Sequence, residues 1–194
     1  MSLSLTGNEY FNIEKMNLHE PEGEENLLNQ LSGSLKEFYT QTNGYMLQWS
    51  HKKIKDRFAT GAVNILNLNK VLGDWKGVLW FDGAAKEDSM KNFRILDYVT
   101  DEVFVGFYVN TEKQDHLFYY SISDVPVSLR LDMQAYIEIM CFCRGFKFWQ
   151  KAILSILDKK EYPETEHFKK YMPQLFKDFK YSDFEAKYQS VKLK

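Results

Sequence analysis

The run Val103-Phe104-Val105-Gly106-Phe107-Tyr108-Val109 carries no charged side chain on either of its two alternating faces. Such a strand is stable only with both faces covered, so the chain must build a sheet with this segment in its interior and further layers packed against it. Neighbouring sequence supplies the partners. Tyr45, Leu47 and Trp49 alternate with Met46 and Gln48, and residues 59–68, 77–82, 93–99 and 116–122 read as further strands. Turn-formers such as Asp82-Gly83 and Asp101-Glu102 separate them, and connections that short join antiparallel strands. The expected fold is α+β: a mainly antiparallel β-sheet of about six strands with helices packed around it.

The helical signals lie on either side of the strands. Leu27, Leu28 and Leu31 share a helical face, and Gly33 then interrupts before Ser34-x-x-Glu37 offers a capping box, which predicts two short helices. The second carries Leu35, Phe38 and Tyr39 inward and ends at Asn43-Gly44, with Gly44 suited to the left-handed position that closes a helix. From Asp132, Met133, Tyr136, Ile137, Met140 and Cys141 and then Trp149, Ala152, Ile153 and Ile156 keep three- and four-residue spacing, predicting one long helix. Gly145 inside it marks a kink, a junction or a close backbone contact. Phe168, Tyr171, Leu175, Phe176, Phe179 and Phe184 are expected to wrap the last segment onto the body. Residues 1–23 are polar and aperiodic, an expected loose N-terminal arm; residues 24–180 form a single expected domain, and 181–194 a C-terminal tail.

Composition narrows the function classes. At 194 residues with 44% hydrophobic and 16% aromatic side chains, the chain has material for one sizeable core without disulfides or metal. No apolar run approaches the roughly 18 residues that span a bilayer, and the N-terminus lacks a basic region followed by an apolar one, so a cytoplasmic protein with no membrane contact is expected. Cys141 and Cys143 diverge by two helical steps of about 100° each, which favours buried reduced thiols over a disulfide or a metal grip. The net charge of -2 hides an acidic start, six acids against Lys15 in residues 1–30, and eleven lysines against seven acids in 147–194. With only four arginines, the lysine-rich end reads as a solvated face, and no nucleic-acid partner is expected.

Motifs for chemistry are missing. His19, His51, His116 and His167 form no paired metal-ligand spacing, and there is no phosphate-cradling glycine loop and no nucleophile elbow. No catalytic residue, metal or cofactor is therefore assigned, and the protein is expected not to be an enzyme. Asp82, Glu87, Asp88, Asp97 and Asp101 gather near strand ends, where a general acid/base pair needs only two at a suitable separation, but their context is that of solvated turns. Asp82, Glu87, Asp88, Asp101 and Glu102 are the candidate partner-binding residues, because acidic loops beside aromatics suit a protein partner. Trp49 and Trp80 are candidates for stacking a ring ligand, against the alternative of core packing.

The ordered segments LSGSLKEFYTQTNGYMLQW, GAVNILNLNKVLGDW, GVLWFD, KNFRILDYV and FYYSISDVPVSLRLDMQAYIEIMCFCRGFKFWQKAI resemble the Smi/Knr type of the SUKH superfamily, over roughly residues 24–180. A departure is Ser32, where the family commonly has proline. The resemblance places Asn43, Gly44 and Trp49 on the family's signature turn and strand, and Gly145 and Trp149 on its terminal helix, as scaffold residues. It implies an antiparallel sheet with surrounding helices and a non-enzymatic binding role. That role is immunity against a cognate bacterial toxin or, alternatively, regulation of cell-wall glucan synthesis. A small-molecule or sugar-binding domain is the further alternative from the residues themselves.

Overall fold

A computed structural model describes residues 11–18, 25–54, 56–85, 88–111, 114–122 and 124–194, with the backbone alone for 11–18. Among the described residues, seven strands form one antiparallel sheet in sequential order: β1 (Phe11–Leu18), β2 (Tyr45–His51), β3 (Thr60–Ile65), β4 (Phe93–Thr100), β5 (Val103–Tyr108), β6 (Leu117–Ser121) and β7 (Val127–Leu131). The helices are α1 (Glu25–Leu28), α2 (Gly33–Gln41), α3 (Leu68–Val71), α4 (Met133–Phe142), α5 (Trp149–Asp158), α6 (Pro163–Leu175) and α7 (Tyr181–Val191), with a 3-10 turn at Ser89–Asn92. The α+β fold with an antiparallel sheet is as the sequence pattern requires. β5 is interior, and Phe104, Val105, Gly106 and Phe107 are buried on both its faces.

Several expectations are corrected. Residues 11–18, expected within a loose arm, pair with β2 in register from Phe11–His51 to Leu18–Tyr45. Residues 77–82 are a turn, because Gly77 takes φ +84° and its N–H donates to Trp80 O at 2.7 Å, leaving Phe81 and Val78 exposed. β7, outside the expected strands, joins the sheet beside β6 instead. The residues 181–194 expected as a tail contain α7, which buries Phe184 and Tyr188; the Tyr188 hydroxyl donates to Leu129 O and Lys187 pairs with Glu138 of α4. The predicted long helix is two, α4 and α5, with Gly145 in the linker between them. The wrapping residues Phe168, Tyr171, Leu175, Phe176, Phe179 and Phe184 are all buried.

Helix α2 shows how local signals give way to tertiary ones. Its N-cap position is Ser32, without a side-chain cap, and Ser34 does not cap but accepts from Met133 N at 3.1 Å. The free N–H groups of the first turn point instead at Asp115, brought from the β5–β6 connection, whose carboxylate accepts from the backbone of Leu35 and Ser34. Gly33 takes φ +50°, and a Cβ there would also push aside the Asp115 carboxylate, 1.6 Å away at Oδ2.

Candidate binding cleft

The sheet is not evenly zipped. β3 and β4 pair only at Ile65–Asp97, and the open edge of β3 is taken by the α4–α5 linker: Ala62 N donates to Gly145 O at 2.8 Å and Lys147 N to Thr60 O at 2.9 Å. The linker can come that close because Gly145 has φ +65° and no Cβ, which would meet Val63 Cγ2 at 2.8 Å. Trp49, fully buried, locks it from below by donating from Nε1 to Arg144 O at 2.8 Å, and Gly61 opposite leaves room for the indole. Trp149 is buried against Tyr136 with ring centroids 4.9 Å apart. Asn43 is buried and accepts from Leu68 N at 2.7 Å, tying the end of α2 to the start of α3. Asn43, Gly44, Trp49, Gly145 and Trp149 thus hold the scaffold. Trp49, fully enclosed, is no stacking platform, which corrects that expectation; Trp80 is half-buried with the Lys91 ammonium 5.4 Å from its ring centre.

The linker ends in strain. Phe148 adopts φ 64°, ψ 23°, a left-handed conformation that costs a bulky residue about 1–3 kcal/mol. Its ring is thereby placed on the wall of two adjoining cavities. The first, of about 240 Å³, lies between Arg57 and Phe58 of the β2–β3 loop, Phe146 and Lys147 of the linker, and His167 of α6. The second, about 520 Å³ and more open, runs past Lys151 to Asp101 and Glu102 of the β4–β5 turn and to Tyr119 and Ser121 of β6. Phe148 and Glu164 line both. Lys151 is held over two rings, 4.7 Å from Tyr119 and 4.8 Å from Tyr162, and burial pushes the Tyr119 hydroxyl well above the usual tyrosine range, so it stays neutral.

The five acidic candidates are divided. Asp101 and Glu102 share the β4–β5 turn and lie on the lip of the second cavity. Beside them the β6–β7 turn, joined through Ile122 N donating to Glu102 O at 2.9 Å, exposes Ile122, Val125 and Val127, with Val125 79% accessible. Asp124 stands among them, exposed. Asp82 and Asp88 belong to the connection that enters the other end of β4. Asp82 pairs with Lys76 at 2.6 Å, and Asp88 caps the 3-10 turn by accepting from Met90 N at 2.9 Å. The Tyr120 hydroxyl is raised by burial first and then by the fields of Asp124 and Asp88, so Asp88 is felt on that face. Glu87 lies outside the described residues.

Asp97, an acid/base candidate, is enclosed in the seam between β3 and β4. Its carboxylate accepts from Asn64 N at 2.9 Å and from the Tyr136 hydroxyl at 2.6 Å, and Gln150 Nε2 donates to that same hydroxyl at 2.9 Å. Burial raises its pKa while these hydrogen bonds lower it, with a net rise. It replaces the missing ladder bonds between two strands and faces no solvent, so its role is architectural. Cys143 is buried and Cys141 half-buried, both free thiols with raised pKa from burial.

Neither the linker strain nor the apolar β6–β7 turn was found from the sequence. "VPV" near residue 126 was a visible exposed-apolar signal, whereas the left-handed Phe148 left none. The fold and cleft define an α+β protein on an antiparallel meander, with no helix among the described residues long and apolar enough to cross a membrane. No family model matches the chain, and comparisons with curated proteins and with solved structures return no match.

Proposed function

We propose that the chain is a protein-binding module whose contact surface is the paired β4–β5 and β6–β7 turns, and that its partner is a basic domain of the toxin class implied by the Smi/Knr resemblance. The carrying observation is the juxtaposition of exposed Ile122, Val125 and Val127 with Asp101, Glu102 and Asp124 at one end of the sheet. Apolar anchors inside an acidic rim serve a protein partner well: the apolar groups give contact area, and the acids steer a cationic surface into register. The test is co-expression with the toxin domain encoded next to this gene. The wild-type chain should protect the cell and co-purify with the toxin, and Val125→Arg should abolish both while melting as wild type does. Absence of any neighbouring toxin, or protection that survives Val125→Arg together with Asp101→Lys and Glu102→Lys, overturns the reading.

A further inference from the structure

We propose that the smaller cavity, between the β2–β3 loop, the α4–α5 linker and α6, is a binding site for a small aromatic monocarboxylate. Its walls are rings: Phe58, Phe146 and Phe148 line it, and the His167 imidazole stacks on Phe58 at 4.0 Å between centroids and 19° between planes. Its fixed charges are two cations, Arg57 and Lys147, against one anion, Glu164. Arg57 and Lys147 lie against those rings, 4.7 Å from Phe58 and 5.0 Å from Phe148, and neither makes an ion pair among the described residues. The carboxylate next to Arg57 in sequence is already engaged, since Asp56 accepts from Phe58 N and from the Tyr171 hydroxyl.

Three features select the ligand. Two cations without carboxylate partners, set among apolar rings, favour an anion carrying a flat apolar body. Glu164 on the far wall disfavours a second negative charge, so a carboxylate is preferred to a phosphate dianion. The volume of about 240 Å³ admits one ring with a short chain and excludes a nucleotide with several phosphates. Two further observations are explained by an occupant. Phe148 is held in a left-handed conformation that presents its ring to the cavity, and His167 Nδ1 is buried with no hydrogen-bond partner among the described residues.

Calorimetric titration of the full chain tests the site with three probes: 3-phenylpropionate, its neutral amide, and phenyl phosphate. The carboxylate should bind one-to-one, with the amide and the phosphate each at least about tenfold weaker. Arg57→Gln with Lys147→Gln should lose at least about tenfold in affinity for 3-phenylpropionate at an unchanged melting temperature, because both side chains sit at the protein's surface. Phe148→Gly keeps the left-handed backbone and removes the wall, so it should weaken binding of 3-phenylpropionate. The Asp101→Lys, Glu102→Lys variant should bind the carboxylate as wild type does, which separates this site from the partner surface. No saturable heat with 3-phenylpropionate in the millimolar range, equal affinity for acid and amide, or full affinity in the Arg57/Lys147 variant each overturns the proposal.

Discussion

Gly44 shows how much a single position decides. It follows the end of α2 with φ +104°, and a Cβ there would come within 2.7 Å of Ile65 O and 2.9 Å of Leu66 O, backbone atoms that cannot swing aside. Gly44→Val therefore adds a forbidden backbone conformation to a steric collision, and should lower stability by at least about 2 kcal/mol in urea melts. An unchanged midpoint would mean the α2–β2 turn is built differently. Asp97 makes a second prediction, in pH. Its folded pKa is raised, chiefly by burial, so its protonated form is favoured on folding; the stability this brings is present below the unfolded value of about 3.9 and is lost as pH rises through the folded pKa. Relative to Asp97→Asn, which does not titrate, the wild type should gain stability between pH 7 and pH 4. A difference that stays constant, or turns the other way, would show that Asn64 and Tyr136 outweigh burial.

At the scale of elements, α7 matters more than its place at the end of the chain suggests. Phe184 and Tyr188 are fully buried, Phe184 packs on Phe168 with ring centroids 5.0 Å apart, and Leu193 N donates to Arg130 O at 2.7 Å along β7. Burying two large aromatics is worth roughly 3–6 kcal/mol. A chain ending at Lys180 should consequently melt at least about 10 °C lower, or fail to fold, as read by circular dichroism. The α4–α5 linker is the other decisive element, because it stands in for a strand along β3. Its register depends on Gly145 and Trp49, which lie 96 residues apart in sequence and meet only after folding, through the Trp49–Arg144 hydrogen bond.

For the whole molecule, the distribution of charge matters more than the net value of -2. If the acidic turns steer a basic partner, reversing Asp101 and Glu102 to lysine should slow association by about tenfold at low salt, and the difference should shrink as ionic strength rises. Association rates measured across a salt series check this, and rates that ignore the reversal would place the interface elsewhere. Most strands were legible because alternation along β2 or unbroken apolarity along β5 is imposed by burial of one face or two, a constraint written residue by residue. The scaffold glycines were legible for a similar reason, since a backbone conformation or close approach that excludes a side chain leaves a glycine in the sequence. β1 was not, for its polar pattern gains a place only from the edge of β2, and the 77–82 run misled because four apolar residues fit a turn as well as a strand. By itself, then, the sequence determined the antiparallel sheet, its interior strand and the aromatic C-terminal wrap. Only the tertiary structure decided where the acids lie, that Asp97 is buried in a seam, and that Arg57, Lys147 and His167 share a cavity, because those groups are brought together by chain crossings that leave no local periodicity behind.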